Sequence, residues 1–214
     1  MACLCCSTDA PVVEKIDNSL TDEKVAMPMG KSEVLSSASA FKVTLLKPVQ
    51  DTPLGLHLDL SDNVMVHICG VRQGVSPVVE YNGKASQDLQ ILPGDYIISV
   101  NGVNNDSKRM VEELAKERSL DLEVRHPVTS TVTINRQGGA MGLDLNYAKM
   151  GKSLVIDGIA EGAVMTWNKQ NPAAMVKKGD RIVAVNGVSG SPSELLENIT
   201  QSSTVELTMS RPSQ

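Results

Sequence analysis

The sequence predicts a mainly β fold with helices, an α+β class, built from two copies of one unit. The first observation is a repeat, because Gly94 and Gly179, 85 positions apart, each open a block of the form Gly-Asp-x-Ile-x-x-Val-Asn-Gly. The second is the alternation of apolar and polar residues in segments such as 56–60 and 143–147, which is typical of half-buried strands. The third is one amphipathic helical stripe late in each copy. Blocks that recur in the same order indicate a duplicated domain.

The elements follow in the same order in both copies. The predicted strands lie at 41–46, 56–60, 63–69, 96–100 and 120–124 in the first copy, and at 131–134, 143–147, 152–156, 181–185 and 205–209 in the second. The fourth strand of each copy ends at Asn-Gly, which is a strong turn signal. A helix follows, with Met110, Val111 and Leu114 as its apolar stripe in the first copy and Leu195, Leu196 and Ile199 in the second. Asp106 or Ser107 is predicted to cap the first helix, and Ser191 the second.

Composition narrows the function classes. The net charge is -5 and only five residues are aromatic, so the chain has neither the basic surface nor the stacking platforms that nucleic-acid binding needs. The three histidines lie outside hydrolase and zinc-protease motifs, so we expect no enzyme, no catalytic residue and no cofactor. The chain has neither a spanning apolar run nor a secretory signal, which predicts a cytoplasmic protein.

The chain is predicted to divide into three parts. Residues 1–40 are rich in Ser, Asp, Glu, Lys and small residues and have no sustained apolar period. Such a segment cannot bury enough surface to offset its ordering entropy, which predicts a disordered N-terminal tail. The first repeated unit then occupies 41–127 and the second 130–212.

The cysteines are concentrated at the N-terminus. Cys3, Cys5 and Cys6 lie within the first six residues, a density that resembles S-acylated tips. Ala2 excludes myristoylation, which requires Gly at that position, while two acyl chains would give stable membrane anchoring. The alternative is a tail with incidental thiols. Cys69 stands alone in an apolar run and is predicted to be a small core residue, so no metal site is expected.

The order of elements resembles the PDZ domain, twice. Leu54-Gly55-Leu56 and Met141-Gly142-Leu143 match the family's Gly-Leu-Gly-Phe carboxylate-binding loop from its second position onward. Pro53 and Ala140 replace the first glycine of that loop. The resemblance implies two partly open β-barrels or sandwiches, each capped by two helices. It also implies that an extended peptide adds to the strand after the loop while backbone amides bind its carboxylate.

The resemblance assigns a peptide-binding groove to each copy. In the first copy the implied residues are Leu54, Gly55, Leu56, His57, Leu58, Ser107, Val111 and Leu114. In the second they are Arg136, Met141, Gly142, Leu143, Leu145, Pro192, Leu196 and Ile199. Arg136 takes the place of a basic residue that supports the carboxylate. Ser107 and Pro192 take the helix position that selects the peptide's third residue from the end, and neither is the histidine associated with Ser/Thr-ending ligands.

These features predict a scaffold or adaptor that binds protein C-termini or short extended peptides, with peripheral membrane association through the cysteine tip. A second interpretation is a structural subunit of a larger assembly, whose units pack without binding free peptides. A third is a lipid-anchored tandem-PDZ membrane-tethering protein, although such proteins carry Gly at the position of Ala2.

Overall fold

A computed structural model describes residues 12–15, 34–35 and 40–213. These residues form thirteen strands and four α-helices. The strands are β1 (Val12–Lys15), β2 (Val34–Leu35), β3 (Phe41–Leu46), β4 (Leu56–Asp59), β5 (Val66–Val71), β6 (Tyr96–Val100), β7 (Val103–Asn104), β8 (Ser119–Arg125), β9 (Pro127–Asn135), β10 (Leu143–Tyr147), β11 (Leu154–Ile159), β12 (Arg181–Val185) and β13 (Thr204–Pro212). The helices are α1 (Pro77–Asn82), α2 (Ser107–Lys116), α3 (Ala163–Gln170) and α4 (Pro192–Gln201), and short 3-10 turns occur at Gln87–Leu89 and Pro172–Ala174.

The described residues fall into two compact units. The first contains 40–128 and 212–213, and the second contains 12–15, 34–35 and 129–211. In the first unit an antiparallel sheet has the order β3-β8-β6-β5-β4, and β7 pairs with β6. Its core is aliphatic, and Val66, Ile68 and Ile97 are fully buried. Residues of α2 bury Met110 and Leu114 against this core, as the predicted stripe requires.

The sheet of the second unit has the order β1-β10-β11-β12-β13-β9-β2. Its core repeats the aliphatic character of the first, and Leu145, Ile156 and Ile182 are fully buried. Leu195 and Ile199 pack α4 on that core. Ser191 caps this helix in a capping box with Glu194, because each residue's side chain bonds the other's backbone N–H.

The duplication extends to individual hydrogen bonds. The side chain of Asn82 donates to the carbonyl of Ile91 and accepts from its N–H, at 2.7 and 2.9 Å. Asn168 makes the same pair of bonds to Val176, at 2.8 and 2.9 Å. Each asparagine therefore ties a helix to the segment before the next strand. This explains why the sequence keeps asparagine at the end of both Tyr81-Asn82 and Trp167-Asn168.

The predicted Asn-Gly turns are present in both units. Asn101 and Asn186 have φ values of 50° and 51°, in the left-handed region that asparagine tolerates better than most residues. The side-chain oxygen of Asn101 accepts from the N–H of Asp121, and that of Asn186 from the N–H of Glu206, each at 2.8 Å. Each asparagine thus also joins the turn to the last strand of its unit.

The mainly β architecture with helices that the sequence predicts is confirmed, and each unit carries two helices. Two short segments of the predicted tail, β1 and β2, each pair with a strand of the second unit, and the division of the chain into a tail and two units stays a prediction. Local composition does not report this pairing, because the stabilising partner is distant in sequence. The remainder of the predicted tail lies outside the described residues. No helix in the described part of the chain is long and apolar enough to cross a membrane.

Candidate functional site: the loop and edge strand of each unit

The loop before β4 turns backbone N–H groups away from the body of the first unit. The carbonyl of Leu54 accepts from the N–H of Val78, and that of Gly55 from the N–H of Arg72 at 2.8 Å. In a planar trans peptide the carbonyl and the following N–H point in opposite directions. The N–H groups of Gly55 and Leu56 are therefore directed outward, as an anion-binding nest requires.

The loop before β10 has the same arrangement, with three carbonyls hydrogen-bonded to the body of the second unit instead of two. The carbonyl of Gly142 accepts from the N–H of Ala160 at 2.9 Å. Those of Ala140 and Met141 accept from the first turn of α3, at 3.0 and 3.1 Å. By the same reasoning, three successive N–H groups, those of residues 141–143, point away from the core.

Glycine is needed at the centre of both loops. Gly55 has φ 85° and Gly142 has φ 72°, in the left-handed region. A Cβ at Gly142 would lie 2.7 Å from the carbonyl oxygen of Ala160, and one at Gly55 would collide with the side chain of Ser76. The glycine that carries the family resemblance is thus required by both backbone angle and space.

The strand after each loop lies at an equivalent position in its sheet. β4 is the last strand of the first sheet, so its outer edge carries no neighbouring strand within the described residues. β10 would be the edge of the second sheet, but β1 pairs with it. Both strands carry a register shift after their second residue, between His57 and Leu58 and between Asp144 and Leu145. A shift of this kind bends the strand and redirects its side chains.

The residues assigned to each groove come together around one apolar cluster per unit. In the first unit Leu56 and Leu114 are buried in the cluster, Leu54, Leu58 and Val111 pack against it, and His57 is exposed. In the second unit Met141, Leu143, Leu145 and Ile199 are buried in the cluster, and Leu196 packs against it. Among the assigned residues His57 is exposed and Val111 and Leu196 are half-buried, and their contact with a peptide stays a prediction.

A basic residue connects each loop region with the C-terminal end of a helix. The guanidinium of Arg136 donates to the carbonyls of Gly139, Ile199 and Thr200 at 3.1 to 3.2 Å. Nζ of Lys47 donates to the carbonyls of Gln50 and Ala115 at 3.0 and 3.1 Å. Cations at this position satisfy helix-end carbonyls that have no intrahelical partner.

These contacts give both cations a structural role. Burial lowers the pKa of Lys47, although Asp51 and Glu117 oppose the effect through their charge. The expected contact of Arg136 with a peptide carboxylate stays a prediction. The equivalence of Lys47 to Arg136 is hidden in the sequence, since the lysine lies two residues farther from its loop.

The two helix positions expected to select the ligand are both buried. Ser107 is the first residue of α2, and its hydroxyl makes no hydrogen bond within the described part of the chain. Asp106 caps that helix by accepting from the N–H of Arg109 at 3.0 Å. Pro192 occupies the first turn of α4 and is buried. Neither position presents an exposed side chain to a ligand.

A glycine faces the second residue of each edge strand. Gly70 pairs with His57, and Gly158 pairs with Asp144. A Cβ at Gly158 would lie 2.8 Å from Oδ2 of Asp144, and one at Gly70 would lie 3.5 Å from the ring of His57. The side chains of His57 and Asp144 therefore lie across the neighbouring strand, in space that the glycines leave open.

Asp59, His67 and Cys69 form a group that the sequence did not predict. One donor atom from each lies within 4.8 Å of the others, with Sγ of Cys69 3.9 Å from Nδ1 of His67. Cys69 is half-buried beside His67 on the face of β5 opposite to the core residue Ile68, so its prediction as a core residue was wrong. Three donors are one fewer than a closed zinc site uses, and Oδ1 of Asp59 already accepts from Ser61. The three donor residues come from two paired strands, so no linear sequence motif indicates that they lie close together.

A buried aspartate lies at the start of the repeated Gly-Asp strand in both units. Nδ1 of His126 lies 2.8 Å from Oδ1 of Asp95, and Nη2 of Arg211 lies 2.7 Å from Oδ2 of Asp180. Burial raises the pKa of both aspartates, against the effect of their hydrogen bonds and cations. Burial lowers the pKa of His126. The hydrogen bonds of its ring to the backbone of Asp88 and to the side chain of Asp95, together with the negative charges of these two aspartates, outweigh burial and raise the pKa of His126.

The candidate acylation residues, Cys3, Cys5 and Cys6, lie outside the described residues.

No family model matches the chain, and no curated protein matches it. Two solved structures that are similar to it are a complex of INAD PDZ45 with NORPA CC-PBM and INAD PDZ45 in complex with an NG2 peptide. The first shares 14% identity over 84% of this chain and 94% of that chain, with a TM-score of 0.37. The second shares 17% identity over 84% and 93%, with a TM-score of 0.35. The PDZ-like assignment of each unit therefore rests on its order of strands and helices and on its loop.

Proposed function

We propose that this chain is a non-enzymatic tandem PDZ-like adaptor that binds C-terminal or internal extended segments of partner proteins. The observation that carries the proposal is the geometry of the first unit. There an edge strand, β4, begins directly after a loop whose Gly55 and Leu56 amides point outward. Addition of a strand to β4 would supply main-chain hydrogen bonds, and the loop amides would bind a terminal carboxylate. The arrangement supports peptide partners, and the cytoplasmic location and the absence of a cofactor belong to the proposal on the sequence alone.

The test is a titration of the full-length protein with a fluorescent library of C-terminal peptides, each prepared as free acid and as amide. We expect the free-acid peptides to bind at least about tenfold more tightly than the amidated ones. Only the free acids carry the terminal negative charge that the backbone N–H groups of the loop would bind. Equal binding of both forms would rule out carboxylate capture, and no binding of any peptide would favour a structural subunit of a larger assembly.

A matched pair of variants locates the site. Val111 is half-buried on α2 and packs against the apolar cluster of the first unit, and Lys108 is exposed on the same helix. Val111→Glu should weaken peptide binding about tenfold or more, because it places a charge against an apolar pocket. Lys108→Glu should leave binding within about twofold. Equal effects of the two variants would place the ligand elsewhere.

Membrane tethering through Cys3, Cys5 and Cys6 is a separate part of the proposal and rests on their density in the sequence. Two or more acyl chains would hold the adaptor at a membrane face. Cell fractionation of the full chain against a variant with all three cysteines changed to serine tests it. Equal solubility of both proteins would remove the membrane role and leave a soluble adaptor.

A further inference from the structure

The strand edge of the second groove is paired with a segment of the same chain. β1 and β10 are antiparallel, and the register places Val12 opposite Tyr147 and Lys15 opposite Asp144. β10 begins at Leu143, next to the loop, so β1 runs toward that loop and ends nearest to it. This is the orientation in which a partner's C-terminus would reach the loop amides.

We infer that residues 12–15 are the resident ligand of the second groove, and that a partner peptide binds there only by displacing them. The inference deepens the proposed function and rests on it for the role of the groove. One edge of β10 is taken by β11 and the other by β1. A strand has two hydrogen-bonding edges, so β1 and an added peptide exclude one another.

The resident strand differs from a terminal ligand in one chemical respect. Ile16 follows Lys15 in the sequence, so the segment brings no C-terminal carboxylate to the loop before β10. A partner that ends in a free carboxylate would gain contacts with the amides of residues 141–143 that the resident strand cannot make. The groove would therefore favour C-terminal ligands over internal ones, because an internal ligand must compete with an equivalent internal strand.

The two grooves then differ in accessibility. β4 has no strand on its outer edge within the described residues, whereas the outer edge of β10 is paired. An intramolecular competitor has a high effective concentration, and it weakens the apparent affinity in inverse proportion to the fraction of molecules in which it is released. A strand that is seated in about nine molecules of ten weakens external binding about tenfold. The first groove would bind partners directly, and the second would bind them after release of the tail.

Proline substitution tests the inference in the full-length protein. Val13→Pro removes an N–H and disfavours the strand, and Ser19→Pro, outside β1, is the control. The first measurement is backbone hydrogen exchange over residues 143–147. We expect Val13→Pro to accelerate exchange there about tenfold or more and Ser19→Pro to leave it unchanged.

The second measurement uses a fluorescein-labelled peptide of residues 10–17 as the probe. It should bind the Val13→Pro variant about tenfold more tightly than it binds the wild type. Exchange that is unchanged by Val13→Pro would overturn the inference. Faster exchange with no gain in probe affinity would show that β1 and an added peptide do not compete for β10, and would overturn the inference that a partner must displace β1. Faster exchange and better probe binding, without binding of any C-terminal peptide, would support the resident strand and reject the proposed capture of carboxylates.

A charge swap supplies an independent check. Directly opposite residues of like charge destabilise an antiparallel pair. Lys15→Glu, opposite Asp144, should accelerate exchange in β10, and adding Asp144→Lys should slow it again. A double variant that exchanges as fast as Lys15→Glu would contradict the register on which the inference depends.

Discussion

Replacing Gly142 with alanine should destabilise the second unit much more than the same replacement at Gly187. Both glycines lie in the second unit at nearly the same angle, with φ values of 72° and 75°. A Cβ at Gly187 would meet nothing within 4 Å, whereas one at Gly142 would lie 2.7 Å from the oxygen of Ala160 and 2.9 Å from that of Glu161. The two variants therefore share the cost of the backbone angle and differ in the collision.

The magnitudes follow from these two costs. A left-handed angle costs an alanine about 1–2 kcal/mol, which is the expected loss at Gly187. Overpacking against backbone adds about 1–3 kcal/mol, so the loss at Gly142 should reach about 2–5 kcal/mol. The restriction of the unfolded chain by alanine is common to both variants and cancels in the comparison.

Trp167 provides the assay. It is the single tryptophan of the chain and packs against the core of the second unit, so its fluorescence reports the unfolding of that unit. With a urea m value of about 1–3 kcal/mol/M, the midpoints of the two variants should differ by about 1 M. Equal midpoints would refute the reasoning, because they would mean that the loop relaxes away from the added methyl group.

Three further predictions use the same unfolding measurements. Arg136→Met should cost the second unit about 2 kcal/mol, because it removes charged donors from the carbonyls at the end of α4. Arg136→Lys should retain part of that stability. A Met variant as stable as the wild type would contradict the structural role of Arg136. Asn168→Ala should cost about 2–3 kcal/mol, because it leaves the buried N–H and carbonyl of Val176 without their partner. Asn168→Asp keeps only the acceptor, so its stability should lie between those of Asn168→Ala and the wild type. A loss below about 0.5 kcal/mol for Asn168→Ala would contradict the stabilising role of the two bonds. The raised pKa of His126 stabilises the fold below about pH 6.5, and this contribution is lost as pH rises through the pKa of the folded state. Urea unfolding followed by circular dichroism should therefore show a loss of stability between pH 6 and 8, and His126→Arg, which imitates the Asp180–Arg211 pair, should reduce that loss. Equal pH dependence of both proteins would reject the pair as its cause.

The repeated elements could be predicted because their signals are local. Asn-Gly fixes a turn, alternating residues such as those at 41–46 fix a strand face, and Ser191-Pro192 fixes the start of a helix. The loop glycines could be identified from the resemblance to the PDZ loop, and their left-handed angles and close neighbours explain why glycine stands at both positions. For these elements the chemistry that determines the structure lies within a few positions of the residue concerned.

The features that escaped prediction depend on distant partners. β1 has an ordinary local sequence and becomes a strand through pairing with β10, more than 120 positions away. Cys69 was assigned to the core because an apolar run does not show which of its faces is inward. The bonds of Arg136 to the end of α4 needed coordinates, because its sequence position indicates a cation near the loop but not the direction of its side chain.

The glycines at 70 and 158 suggest where ligand preference could be altered without changing a contact residue. Each leaves a depression in the sheet, into which the side chain at His57 or Asp144 lies. A methyl group at Gly158 would displace the carboxylate of Asp144, whereas one at Gly70 would meet the imidazole of His57 at ordinary van der Waals distance. Discrimination between ligands would then be set from beneath the binding surface, and selection for new partners could act on residues that no partner touches.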